Sequence, residues 1–276
     1  LELALGSPSD LVRAAAAESL RLIPDGRADA LIVAMLDDVS PIVRTSSVFA
    51  ATNRRLDPVA PALASHARDD KDPAVRMRTL VDAGRLLASP VGDRTRLDAA
   101  LDALAAVAAV ADAVGDRVGA VVFDGEVRRV VRPQRANAAA LTHLLDDLQP
   151  HLVDSDYQAG FARVASAKRS LVIVFTDLLD AAAARPLLAA VPVLVRRHAV
   201  LVAGTNDPDL VEAVTRPPSS RRALLEAGVA TEILAERDQV RSRLAGVGAV
   251  VVDAPVERLA TRCVSAYLQL KSTARI

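Results

Sequence analysis

Pro73-Ala-Val-Arg-Met-Arg-Thr-Leu-Val-Asp-Ala-Gly-Arg-Leu-Leu87 admits two readings, and the choice between them decides the fold. As a helix, it places Val75, Leu80, Ala83 and Leu87 near one face and continues a repeat that fills the preceding residues. As a strand, residues 77–81 form a short run that ends at Asp82. Arg76 and Arg78 favour the helix, because charged side chains fit poorly in a strand covered on both faces. Topology favours the strand. The apolar runs further along predict a doubly wound sheet in the order 3-2-1-4-5-6, whose first strand joins the two halves. Losing that strand would leave two interior edges unpaired. Tertiary demand overrides local propensity, so residues 77–81 are read as a strand leading to Asp82.

Upstream of this stretch the sequence repeats. Val12-Arg13, Val43-Arg44 and Val75-Arg76 recur at spacings of 31 and 32 residues. Each follows an acidic, turn-prone start: Ser7-Pro8-Ser9-Asp10, Asp37-Asp38-Val39-Ser40-Pro41 and Asp69-Asp70-Lys71-Asp72-Pro73. The first two lead into small-residue helices over 14–23 and 45–53, a loop, and second helices over 28–36 and 59–67. Asp or Ser before a helix caps its free N–H groups, and Pro suits its first turn. A helix pair at fixed period is the signature of an α-solenoid. The pattern D-x-x-P-x-V-R before an Ala-rich helix resembles short HEAT-like repeats of the phycobilisome-lyase type.

Downstream the rhythm changes. Residues 97–114 form a long Ala/Leu/Val helix, too apolar all round to lie on a surface, and Gly115-Asp116 ends it. Residues 118–123 read as a buried strand, Asp124-Gly125 as a tight hairpin and 126–131 as an edge strand. The runs 171–175, 199–203 and 249–252 alternate with helices expected near 137–148, 158–168, 181–195, 208–214, 219–228, 233–245 and 256–270. Continuously apolar strands separated by helices predict an α/β fold with a mostly parallel, doubly wound sheet. The expected domains are 1–74, helical repeats, and 75–276, the α/β unit.

Several stretches go beyond a generic α/β pattern. Asp82-Ala-Gly-Arg-Leu-Leu-Ala88, Arg94-Thr-Arg-Leu-Asp98, Gly115-Asp-Arg-Val-Gly119 with Phe123-Asp124, Asp156-Tyr157, Leu171-Val-Ile-Val-Phe-Thr-Asp177 and Val251-Val-Asp-Ala-Pro255 with Tyr267-Leu-Gln-Leu-Lys271 occur in that order. Together they resemble the family named domain of unknown function 58, which carries a von Willebrand factor A-like domain. The resemblance implies a partner, a MoxR-type AAA+ ATPase, and an assembly or chaperone-like role with no enzymatic activity. Family members usually carry membrane helices and a β-rich segment before this domain. Here helical repeats stand in that place.

The resemblance also implies a divalent-cation site at the C-terminal strand ends, built from a D-x-S-x-S loop, a Thr and a second Asp. Carried over position by position, the first Asp is Asp82, but its serines have become Gly84 and Leu86. Ser155 stands for the Thr and Asp177 for the last Asp. Mg²⁺ wants six oxygens in an octahedron, and this set offers two carboxylates and one hydroxyl. Asp82, Ser155 and Asp177 are therefore a degenerate metal site, Mg²⁺ being the one cofactor in question. With Asp156 they form the expected partner-binding face.

Composition narrows the remaining classes. Lys plus Arg and Asp plus Glu balance at 34 each, which gives no long-range attraction to nucleic acid or an anionic membrane. With no Trp, four Phe and two Tyr, the chain lacks a stacking platform for single strands. The single Cys263 cannot form an internal disulfide, so a cytoplasmic setting is expected. Asp98, Asp102 and Asp112 interrupt the most apolar stretch, so no membrane segment is expected.

No phosphate loop, nucleophile elbow or dinucleotide fingerprint is present. His66, His143, His151 and His198 lie in different elements without ligand spacing. Arg128, Arg129, Arg132 and Arg135 form the basic cluster, which would blunt an edge strand. The sequence thus reads as a non-enzymatic, cytoplasmic scaffold with a MoxR-type AAA+ ATPase as partner and other proteins engaged through the helical repeats. The alternative is an enzyme accessory of the bilin-lyase-like HEAT-repeat type.

Overall fold

The computed structural model of the chain describes residues 2–23, 25–36, 38–40, 43, 46–47, 50, 76–91, 93–135, 137–165, 167–177 and 184–272. The disputed stretch is a strand. β1 (Arg76–Asp82) pairs in parallel with β4 (Arg117–Phe123) on one side and with β6 (Leu171–Phe175) on the other. β7 (Ala199–Thr205) and β8 (Val250–Ala254) extend the parallel sheet, and β5 (Val127–Gln134) adds an antiparallel edge. The order β5-β4-β1-β6-β7-β8 is 3-2-1-4-5-6 when these strands are counted along the chain. A small hairpin, β2 (Pro90–Val91) with β3 (Arg94–Thr95), lies apart from it.

Side chains alternate across the sheet with the period of two that a strand imposes. Met77, Val81, Leu171, Ile173, Phe175, Leu201 and Val122 enter one apolar cluster. Leu80, Val121, Phe123, Val172, Val174, Val200 and Val202 enter the other. The first cluster is closed by α4 (Arg96–Ala113), α5 (Ala138–Leu145) and α10 (Val256–Ser272). The second is closed by α6 (Tyr157–Ala165), α7 (Arg185–Val195) and the far half of α9 (Arg221–Gly246). Arg76 and Arg78 are tolerated because both sit half-buried at the start of β1. Burial, then the nearby Arg76, holds the Arg78 pKa below its ordinary value.

Local chemistry sets the boundaries. Thr95 and Asp98 form a reciprocal capping box at the start of α4, and Gly115, at φ +77°, ends that helix. Two expectations change. Residues 219–228 and 233–245 belong to the single helix α9, in which Gly228 faces open space. One glycine costs a helix about 1 kcal/mol, too little to break one held by buried Ala230 and Val240. The Asp124-Gly125 hairpin closes through three residues, with Phe123 opposite Val127. Asp124 accepts the Glu126 N–H through its side chain, so Gly125 does not take the left-handed backbone of a two-residue turn.

Ahead of the sheet lie α1 (Glu2–Leu5), α2 (Asp10–Ser19), a 3₁₀ turn (Leu20–Leu22) and α3 (Gly26–Met35), around a cluster that includes Leu20, Ile32 and Leu36. Arg13 of the first Val-Arg pair grips Asp38 through two bonds of 2.8 and 2.9 Å and donates to the Ser7 carbonyl. The expected helices over 45–53 and 59–67 lie largely outside the described residues, of which Ser46, Ser47 and Ala50 are helical. The third Val-Arg pair starts no described helix, since Arg76 opens β1. Among the described residues, no helix is long and apolar enough to cross a membrane.

The last helix is tied to the sheet through a buried carboxylate. Asp116 accepts from Tyr267 at 2.5 Å and from Lys271 at 2.9 Å. Asp116→Ala would strand both donors, so a loss of about 3 kcal/mol is expected in urea unfolding. A change below ~1 kcal/mol would contradict that role.

Candidate functional site

The loops that leave β1, β4 and β6 converge at one end of the sheet, the end where this class of fold places its ligands. Asp82, the last residue of β1, is fully buried there. Its Oδ1 accepts the Gly84 N–H at 2.9 Å and the Ser155 hydroxyl at 2.5 Å. Its Oδ2 lies 2.8 Å from both the Tyr157 and the Thr176 hydroxyls. Those two hydroxyls are themselves 2.6 Å apart, so two protons serve three short contacts. Burial, and then the Asp82 charge, raise the Tyr157 phenol well above its ordinary pKa.

The missing first-loop serine has a steric explanation. A Cβ on Gly84 would sit 2.1 Å from Ser155 Oγ and 2.8 Å from the Val153 carbonyl. The Ser155 hydroxyl fills the volume that a serine at position 84 would need, and it bonds to the same carboxylate. Ser155 is thus brought to Asp82 from a loop 73 residues away in sequence. Leu86 offers no oxygen.

Asp177 takes a different place. It follows β6, is buried, and lies between two guanidinium groups. Arg96, at the start of α4, approaches its Oδ2 at 3.0 Å, and Arg237, from α9, approaches its Oδ1 at 3.1 Å. Both arginines also donate to the Thr205 carbonyl, at 2.9 and 2.7 Å, and Arg237 reaches Asp253 at 2.9 Å. The four side chains have accessibilities between 0 and 13%. Two cations face Asp177 and Asp253, with Asp207 lying 3.9 Å from Arg96, and the positive charge is covalently part of the protein.

This donor set does not fit a divalent cation. Metal ligands must turn lone pairs inward, whereas two fixed guanidinium groups already face Asp177 here. Among the described residues no group of three or more His, Cys, Asp or Glu could hold a metal. The expected site residues also divide by depth. Asp82 and Asp177 lie too deep to touch a partner, Ser155 is half-buried, and Asp156 is exposed and caps α6 through the Ala159 N–H.

The surface above them comes from residues 151–154. Leu152 is 83% exposed, beside the exposed Val153 and an Arg85–Asp154 ion pair. The loop is anchored by His151 N–H to the Ala83 carbonyl and Arg85 N–H to the Val153 carbonyl. His151 Nδ1 also lies 2.8 Å from Asp124. Of the basic cluster, Arg129 is held by Asp147 and Arg128 by the Gln149 carbonyl. Sequence reasoning missed Arg96, Arg237, Thr176 and Tyr157. Arg96 and Tyr157 stand inside quoted motifs, and Thr176 precedes Asp177, so adjacency was the usable signal for three of the four.

Removing Asp177 would leave two guanidinium groups buried against each other. Asp177→Ala is expected to cost about 3–5 kcal/mol in chemical unfolding. Millimolar Mg²⁺ or Mn²⁺ should neither release heat in titration nor raise the melting temperature of the native chain; either effect would refute the misfit.

Tyr157 and Tyr267, the two tyrosines of the chain, are both raised by burial and a neighbouring Asp. The folded state holds these protons more tightly than the unfolded state does. Stability should therefore be steady below the ordinary phenol pKa of about 10 and fall as pH rises beyond it. Tyrosinate absorbance should appear together with unfolding; its appearance in a still-folded chain would overturn the assignment.

A family model described as "Protein of unknown function DUF58" matches residues 68–250. Among solved structures, BatB from Bacteroides thetaiotaomicron, a conserved hypothetical protein, is similar at 15% identity and a TM-score of 0.52, over 73% of this chain and all of that one. An aerotolerance-related membrane protein from Bacteroides fragilis, solved with multiple mutations to serines, is similar at 15% identity and a TM-score of 0.50, over 71% of this chain and 99% of that one. A von Willebrand factor type A protein from Catenulispora acidiphila also matches, at 14% identity and a TM-score of 0.48, over 72% of this chain and 43% of that one. No curated protein matches the sequence. The family match covers well over half of the 276 residues, and the chain therefore belongs to the DUF58 family, with an α/β fold around a mostly parallel six-stranded sheet.

Proposed function

We propose that this chain is a non-catalytic interaction protein that offers the loop surface above β1 and β4 to a protein partner without a bridging cation. Two observations carry the reading: the internal neutralisation of Asp177 by Arg96 and Arg237, and an exposed Leu152-Val153 pair on the loop anchored to the end of β1. Apolar side chains rimmed by charge are the ordinary make-up of a protein contact. The expected partner is the MoxR-type AAA+ ATPase implied by the sequence resemblance, with the HEAT-like segment as a second surface.

Absence of catalysis is part of the proposal and has chemical support. Burial pushes the Cys263 thiol up to about 12, which leaves almost no thiolate nucleophile near neutral pH. Burial also lowers the His198 pKa at the opposite end of β7 from the site.

The test is capture of a purified MoxR-type ATPase by the native chain, with and without a chelator. Binding is expected to be equal in both conditions and to weaken about tenfold or more in Leu152→Asp, Val153→Asp. No capture by the native chain would end the partner assignment. Loss of capture on chelation would end the cation-free reading.

A further inference from the structure

The helix pair that follows β7 carries an apolar stripe that no described residue covers. α8 (Pro208–Thr215) has no buried residue, and neither does α9 before Ala230. Within that first half of α9, Leu224, Leu225 and Val229 are 60, 64 and 57% exposed. The inward face of α9 runs through Ala230, Arg237, Val240 and Leu244, which fixes where the helix meets its own domain. Leu225, Val229 and Ile233 recur at intervals of four, in a row that starts well off that face at the exposed Leu225 and drifts onto it at the half-buried Ile233.

Charge along the same flank is segregated. Arg221 and Arg222 precede the apolar stripe, and Glu232 and Glu236 flank its far end. This placement is unfavourable for an isolated helix. The first turn holds no acidic residue, and cations there oppose the helix dipole. Arg222 does pair with Glu226 at 2.7 Å, but with the cation on the N-terminal side, the weaker orientation. Glu232 and Glu236 make no ion pair among the described residues.

A sequence that reads basic, apolar, acidic along one helix is complementary to itself when reversed. We infer that this flank of α9 pairs antiparallel with the same flank of a second copy of the chain, about a two-fold axis at Val229. Arg222 and Glu236 each stand seven residues from Val229, and Leu225 and Ile233 each stand four. The axis therefore sets Arg222 against Glu236 and Leu225 against Ile233, twice over. Glu226 comes near the second copy's Glu232, a repulsion offset by its own pair with Arg222. Both basic first turns gain the carboxylates that their own helix does not supply. An isologous contact of this kind closes as a dimer and does not propagate.

The experiment is sedimentation equilibrium of the full chain and three variants, each checked for an unchanged melting temperature, since the substituted side chains are exposed or half-buried. The native chain should show a monomer–dimer equilibrium. Val229→Glu, which brings two carboxylates together on the axis, should weaken it about tenfold or more. R221E/R222E should be monomeric because both ends become acidic, and E232R/E236R because both become basic. Mixing these two charge variants should restore a dimer, because every reversed contact is then opposite in sign. A native chain that stays monomeric at high concentration, a dimer indifferent to Val229→Glu, or a failure of the mixture would each overturn the proposal.

Discussion

The contact on which the rest of the structure turns is the one between Asp177 and the guanidinium groups of Arg96 and Arg237. It joins three layers at one point. Arg96 comes from a helix on one face of the sheet, Arg237 from a helix on the other, and Asp177 from the end of a central strand. The Thr205 carbonyl and Asp253 bring β7 and β8 into the same network. Burying so many charges is costly unless each finds a partner. Once made, the network leaves little freedom in how α4 and α9 sit at this end of the sheet.

The Asp82 cluster is a second, neutralising solution of the same problem. A buried carboxylate could be held by a metal ion; here it is held by one backbone N–H and three hydroxyls. The two clusters meet at the Thr176-Asp177 step, because Thr176 serves Asp82 while its neighbour serves the arginines. One dipeptide at the end of β6 thus divides the end of the sheet into a hydroxyl-bonded half and an ion-paired half. Gly84 and Ser155 are sterically linked, since a Cβ at 84 would meet the Ser155 hydroxyl.

The sheet was legible in the sequence because buried parallel strands leave continuous apolar runs, as at Leu171-Val-Ile-Val-Phe175. β1 was legible only through topology: its own residues, with Arg76 and Arg78, read better as a helix, and the requirement for a central strand outweighed them. The long helix α9 was read as two because Gly228 is a local signal, whereas the burial of Ala230 and Val240 that holds the helix together is not. The site was half legible. Asp82, Ser155 and Asp177 could be named in order, and Asp82 and Ser155 do meet. Arg96 stands inside a motif, but Arg237 could not be found, since nothing local marks it as an arginine that folds inward. Arg237 lies 60 residues from Asp177.

An internal guanidinium differs from a bound cation in what it permits. A metal ion at a strand end can keep an open position, which an incoming carboxylate completes, so that ligand affinity follows metal supply. A guanidinium fixed by its own helix has a planar fork of donors, and here its terminal N–H groups face Asp177, Asp253 and the Thr205 carbonyl. Nothing is left at Asp177 to exchange with a ligand. Recognition at this end of the sheet must then come from the side chains that project beyond the buried charges, among them Leu152, Val153, Asp154 and Arg85. Their position depends on the His151 and Arg85 backbone bonds to the β1 loop, so the buried clusters act on any partner by holding that loop in place.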